Sequence, residues 1–307
     1  MCQMIEVPEI FRSPTTWEYP KYNPVTFEEY FCKYYDYNDI DTEREYLPIF
    51  WSCFYYQRRY RSKGTLDLQK FLNSLDRKKK YFTVVVYDGG IHESVAHLDL
   101  KVFSAVGDSL SVPKGYKGTL GDVAIPIICR PAPNIQRNRE RDILAGFIGA
   151  KTHSIREILW DTLGGKPGFV LGQSPVYACT AFQPEDWARV NYERFKDLME
   201  RSIFALCPRG SSTTSFRVCE SLQYGCVPVY ISDKFWYPWS NPKDENDHGV
   251  FDDIGLTCLP ENIKDLPSRL ESMPQEIIKI YLDNGQQIYE KYFSFEGCAD
   301  RIVEQAV

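Results

Sequence analysis

Short apolar runs that alternate with helical stripes constrain this chain more than any other feature. Phe82-Thr83-Val84-Val85-Val86-Tyr87 is β-branched and carries no charge. A strand with one wet face alternates apolar with polar residues, whereas an unbroken run suits a central parallel strand covered on both faces. The segments Ile203 to Cys207 and Cys226 to Ser232 have the same character. Between the runs, Leu68, Phe71, Leu72 and Leu75 fall at i, i+3, i+4 and i+7, which predicts a helix. The chain therefore reads as an α/β protein with parallel sheets.

In chain order, residues 1 to about 45 are rich in Pro, Tyr and acidic side chains and read as an irregular lead-in. Leu47-Pro48-Ile49-Phe50-Trp51 reads as a first buried strand, and Leu100 to Ser104 and Val123 to Ile128 as later strands of the same unit. The run Arg77-Lys78-Lys79-Lys80 complements a helix C-terminus. Arg130 to Arg141, with Pro131 and Pro133, reads as a linker. A second unit opens with a strand from Leu144 to Ile148. Ser154-Ile155-Arg156-Glu157 matches a capping box that starts a helix. Further helices are predicted from about Pro184 to Arg201, over 215–224, from about 262 and from about 274. Alternation in both halves predicts two Rossmann-like, doubly wound domains facing a cleft: residues 1–138 and 139–290, with a helix in 291–307 returning to the first. Ligands of such sheets bind at the carboxyl ends of the strands.

Composition removes several functions. The formal net charge is −6, which disfavours nucleic-acid binding. The ten Cys include no C-x-x-C pair and the four His show no ligand spacing, so neither a structural zinc site nor a disulfide framework is expected. No signal peptide is visible and no segment approaches the roughly 20 apolar residues of a membrane span. A soluble, cytoplasmic protein in a reducing compartment is the expectation.

The densest chemistry lies between Cys207 and Asp233. A buried strand stops at Pro208, and the polar loop Arg209-Gly-Ser-Ser-Thr-Thr-Ser215 leads into a helix. Free N–H groups at a helix N-terminus, with hydroxyls and the Arg209 fork, make an anion site. Arg217, Glu220, Ser221 and Tyr224 share one helical face, offering Arg217 to an anion and Glu220 to a diol. Gly225 then suits a left-handed C-terminal cap. On spacing alone the same residues also fit a surface i, i+3 ion pair and a capped loop.

The string Cys207-Pro-Arg-Gly210, Arg217-Val-Cys-Glu220, Gly225-Cys-Val-Pro-Val229 and Ser232-Asp233 resembles the exostosin family, glycosyltransferase family 47. Phe216 stands where many members have proline. Phe147-Ile-Gly149 with Lys151 and Arg156, Asp122-Val-Ala-Ile-Pro126, and Tyr81 to Gly90 extend the likeness more loosely to residues 45–240. As a short, anchor-free member, the chain is expected to resemble those of bacteria or large algal viruses.

The resemblance implies a GT-B fold and an inverting transferase that takes a UDP-sugar donor and an oligosaccharide acceptor, with no metal and no other cofactor. The donor would lie in the second domain and the acceptor in the first. Arg209, Ser215, Arg217 and Glu220 would contact the donor, with Lys151 and Arg156 near its diphosphate. Xylose is the leading donor sugar. Inversion needs a general base across the cleft. Asp88, after the strongest strand of the first domain, is the first choice, with His92 and Glu93 behind it. Asp88 equally suits a cap for the Gly89-Gly90 turn. Asp39-Ile40-Asp41 has the D-x-D form of a metal motif but falls in the lead-in. A user of another nucleotide-sugar such as a GDP-sugar, or a catalytically silent glycan-binding module of the same fold, remain as rival functions.

Overall fold

A computed structural model describes residues 4–12, 26–58, 62–105, 121–129, 131–174 and 185–306. Most of the lead-in before residue 26, Arg130 and Pro184 lie outside the described residues. The first unit contains α1 (Phe27–Tyr37), β1 (Glu45–Tyr46), α2 (Trp51–Arg58), α3 (Ser62–Ser74), β2 (Lys80–Val85), β3 (Asp99–Ser104) and β4 (Val123–Ala124). Its sheet is parallel throughout, in the order β1-β2-β3-β4.

β2 is buried on both faces, and its alternate residues enter separate cores. Phe82 and Val84 pack with Phe31 and Tyr35 of α1, while Tyr81 and Val85 pack with Trp51, Phe54, Leu68 and Leu72 of α2 and α3. This is the environment that an uncharged β-branched run requires.

Three expectations for this unit are corrected. The lead-in is not wholly irregular: α1 starts at a capping box, in which Thr26 accepts the Glu29 N–H and Glu29 returns a bond to the Thr26 N–H. Leu47 to Trp51 is not a strand. The ladder ends one residue past β1, where the Leu47 N–H reaches the Phe82 carbonyl at 2.8 Å. Pro48 then has no N–H to offer, and Trp51 begins α2. Val123 to Ile128 shortens to β4, whose last bond to the β3 side is the Ile125 N–H on the Ser104 carbonyl at 2.9 Å, one residue before Pro126.

The second unit comprises β5 (Ile143–Gly149), α4 (Ser154–Leu163), β6 (Phe169–Gln173), α5 (Glu185–Arg201), β7 (Ser202–Pro208), α6 (Phe216–Tyr224), β8 (Val227–Ile231) and β9 (Leu256–Cys258), followed by α7 (Leu266–Glu271), α8 (Gln275–Ile288) and α9 (Phe295–Gln305). Five parallel strands run in the order β6-β5-β7-β8-β9. β6 and β9 were not foreseen; one carries Gly172 and the other is only three residues long. Phe204, Leu206, Val229 and Ile231 face α4, α7 and α8, while Ala205, Cys207 and Tyr230 face α6. The first turn of α4 is also corrected. Ser154 is already helical, and the cap is His153, whose Nδ1 accepts the Ile155 N–H at 3.2 Å.

Two segments join the units. After β8 the chain crosses to the edge of the first sheet. There the Trp239 N–H reaches the Ala124 carbonyl at 2.5 Å, and the Ala124 N–H reaches the Ser240 carbonyl at 3.0 Å. Trp236 adds an indole bond to the Ser104 carbonyl at 3.1 Å. At the other end α9 returns to α1, with the Phe295 ring 4.9 Å from Tyr30 and 5.8 Å from Phe27.

The crossing segment turns at Gly249, where φ is 56° and an added Cβ would lie 2.1 Å from the Pro238 carbonyl oxygen. Gly165 has φ 76° with nothing near its missing Cβ. Gly165→Ala should therefore cost only backbone strain, about 1 kcal/mol. Gly249→Ala should cost clearly more, and urea denaturation of the two variants compares them directly.

Candidate active site

The strand order locates the site before any side chain is considered. From β5 the chain passes to β6 on one side, then crosses to β7 on the other. The loops leaving the carboxyl ends of β5 and β7 diverge at this switch point, where open parallel sheets bind ligands. Each loop ends at a helix N-terminus, α4 after one and α6 after the other. The positive ends of two helices therefore face one edge.

Arg156 ties the two loops together. Its Nε donates to the Arg209 carbonyl at 2.9 Å, Nη1 to Ala150 at 2.9 Å and Nη2 to Pro208 at 3.2 Å. The guanidinium also lies 5.5 Å from the centre of the Phe147 ring. An added Cβ at Gly210 would stand 3.2 Å from both Arg156 Nη2 and Thr152 Oγ1, so the close approach favours glycine. Arg156 thus spends its fork on backbone carbonyls. Lys151 is exposed and pairs with Glu157 at 3.4 Å.

The β7 loop is pinned from below by the Tyr230 hydroxyl, which donates to the Thr213 carbonyl at 2.6 Å. Arg209 is 5 % exposed and pairs with Asp233, at the end of β8, at 2.5 Å. Burial raises the Asp233 pKa, but the bond and charge of Arg209 outweigh it and hold the carboxyl below its ordinary value. Ser215 caps α6, its Oγ accepting the Arg217 N–H at 3.3 Å.

Arg217 and Glu220 are paired at 2.8 Å, yet they are not a solvated surface pair. The Arg217 side chain is 13 % exposed, donates to the Ile148 carbonyl of β5 at 2.8 Å and lies 4.2 Å from the centre of the Phe195 ring. Glu220 is consequently held at the switch point by a guanidinium that spans β5 and α6. Gly225 closes α6 with φ 66°, the left-handed cap its position predicts.

His153 was missed in the sequence. Because its Nδ1 accepts a backbone N–H, the neutral ring carries its proton on Nε2. Burial lowers its pKa, and the Arg209 and Arg156 charges add to this against Asp233. An X-Ser-Ile-Arg-Glu string draws attention to Ser154, so the histidine before it passes as loop.

From the first unit, Asp88 reaches across. Ser211 Oγ, on the β7 loop, donates to Asp88 Oδ2 at 3.0 Å. The Tyr87–Gly90 turn is closed by the backbone, Gly90 N–H to the Tyr87 carbonyl at 3.0 Å. Burial raises the Asp88 pKa, and the Ser211 bond only partly opposes it. His92 and Glu93 face the other way, toward α2. The Tyr55 hydroxyl donates to buried Glu93 and accepts the His92 N–H at 2.9 Å, while the two rings stack at 4.5 Å. Asp39 and Asp41 are exposed on the connection entering β1, at the amino ends of the strands. The cleft is at the opposite edge.

Residues 91–256 match the Exostosin GT47 domain, more than half of the chain. The chain belongs to the exostosin family. Exostosin-1b of Danio rerio is 30% identical over 131 residues, covering 40% of this chain and 17% of that protein. The Exostosin-1 homolog of Caenorhabditis elegans is 30% identical over 115 residues, covering 36% of this chain and 28% of its own. The match thus spans less than a third of these exostosins. Among solved structures, TarM aligns with a TM-score of 0.40 at 10% identity over 79% of this chain and 53% of TarM. An alpha-glucosyltransferase in complex with UDP-glucose and DNA containing an abasic site aligns with a TM-score of 0.42 at 8% identity, over 80% and 77% of the two chains.

In this exostosin-family site Arg156→Lys should be destabilising, because an ammonium cannot bond three carbonyls in one plane. About 2 kcal/mol is expected. Lys151→Ala should leave thermal unfolding unchanged, and the pair of melting curves tests both statements.

Proposed function

We propose that the chain is an inverting, metal-independent glycosyltransferase that moves a sugar from a UDP-sugar to a glycan hydroxyl, with Asp88 as general base. One observation carries this reading: a carboxylate of the first unit accepts a hydroxyl proton at 3.0 Å beside the loop that leads into α6. Ser211 there occupies the relation to Asp88 that an acceptor hydroxyl would take.

The acceptor O–H donates to Asp88 and its oxygen attacks the anomeric carbon from the face opposite the leaving group. The proton passes to the carboxylate as the bond to UDP breaks, and the electron pair leaves with the β-phosphate. A raised pKa suits the task, because it makes the carboxylate a stronger base than one in water. The developing phosphate charge would be met by Arg209 and the N-termini of α4 and α6, with the His153 Nε2–H alongside. These groups supply the role that a divalent cation has elsewhere. Glu220, steadied by Arg217, would accept two ribose hydroxyls. Ser215 would act by capping α6 and Arg156 by shaping the loops, and Lys151 is free to swing from Glu157 to a phosphate.

A donor panel read by UDP release tests the function, with UDP-xylose first and GDP-sugars included. Release from no UDP-sugar in the presence of mixed glycan acceptors would reject it, and release of GDP alone would select the other nucleotide. Arg217→Ala and Glu220→Ala should each weaken UDP binding about 10- to 100-fold in calorimetry. Asp88→Asn should leave UDP affinity intact and lower kcat by about 10²-fold or more. As the base must be ionised, the rate should fall as pH is lowered, with a midpoint above the ordinary carboxylate range of about 4. A midpoint at or below that range would contradict the assignment.

A further inference from the structure

The first turn of α1 places a carboxyl that the proposed chemistry does not use. Glu28 is fully buried. Its Oε1 accepts the Val86 N–H at 2.8 Å and the Ser52 hydroxyl at 3.0 Å, and Oε2 accepts the Ser52 N–H at 3.0 Å. Val86 is the residue leaving β2, and Ser52 is the second residue of α2. One side chain therefore joins a strand exit to a helix N-terminus.

Both attachments bear on the loop that carries Asp88. Val86 stands two residues before it. At the far end α2 holds the same loop through Tyr55, which takes the His92 N–H and donates to Glu93. α2 is itself fixed to β2, since Trp51 Nε1 donates to Thr83 Oγ1 at 2.9 Å. The loop is gripped from behind at both ends, and Asp88 meets Ser211 on its open side.

A buried carboxyl is a costly way to fill space, and an apolar side chain there would leave two N–H groups unpaired. Burial pushes the Glu28 pKa up to about 8, against the bonds from Val86 and Ser52 that favour the ion. When the carboxyl is neutral, the Ser52 hydroxyl can reverse and accept its proton, while Oε2 still accepts the Ser52 N–H.

We propose that Glu28 is a positioning residue, which holds the Val86–Glu93 loop so that the Asp88 carboxyl stands at the β7 loop across the cleft. The proposal rests on the reading of Asp88 as base. It differs from a purely structural role in acting on turnover without acting on donor binding.

Glu28→Ala and Glu28→Gln, with Asp88→Asn as reference, test this by UDP release from the UDP-sugar that the donor panel selects. The alanine variant should lower kcat about tenfold or more, as expected for a misplaced reacting group. Donor KM and the calorimetric UDP affinity should stay within twofold of wild type. Glutamine keeps one acceptor for Val86 and should restore part of kcat. Amide exchange from Val86 to Gly90 should quicken in Glu28→Ala. A folded alanine variant with kcat within twofold of wild type would overturn the proposal, as would a parallel loss of UDP affinity. If the alanine variant does not fold, the glutamine variant carries the same test, with a smaller fall in kcat expected. Wild-type kcat in Asp88→Asn would remove the base assignment and this proposal together. A defective Asp88→Asn with an active Glu28→Ala would remove this proposal alone.

Discussion

The three bonds from Arg156 to the carbonyls of Ala150, Pro208 and Arg209 are the constraint on which the site depends. Strand ends at a switch point leave carbonyl oxygens pointing outward, and an anion would be repelled by them. Arg156 engages three of these oxygens with one delocalised cation. The positive ends of α4 and α6 then dominate the field along that edge. Removing the guanidinium would disturb the field as well as the fold.

Charge in the cleft is kept by mutual compensation. Arg209 is buried against Asp233, Arg217 against Glu220, and each pair includes a partly exposed carboxylate. Asp88 differs, for it has a hydroxyl as its partner in place of a cation. Burial without an ion pair raises its proton affinity, whereas the Asp233 carboxyl beside Arg209 is held low. Two carboxyls of one cleft thereby differ in proton affinity, the ion-paired one being the more acidic.

Legibility in the sequence followed the physics of each element. β2, β7 and β8 were clear because doubly buried strands have no alternation to confuse with a helix. α6 was clear at its end, with Gly225 to stop it, while Ser215, read as its first residue, proves to be its cap. The short edges were not: β9 has three residues and owes its place to β8 alone. Pro48 and Pro126 truncate apolar runs whose hydrophobicity looks continuous. The motif singles out Arg209, Arg217 and Glu220; in the structure Arg217 pairs with Glu220, while Arg209 pairs with Asp233. No local pattern marks Glu28, since its partners lie 24 and 58 residues away. His153 was hidden for a different reason, because an imidazole is an uncommon cap.

The return of α9 to α1 has a consequence for biosynthesis. Phe31, Tyr35 and Phe82 share their core with Cys298, Ala299 and Ile302, which are translated after the whole second unit. α1 covers that face of the first sheet on its own until then, so the unit made first is completed last. A closure of this kind is a long-range contact of high entropic cost. While it is pending, the Phe27 and Tyr30 rings that Phe295 meets lack that partner, and completion of the first core waits on the last helix of the chain.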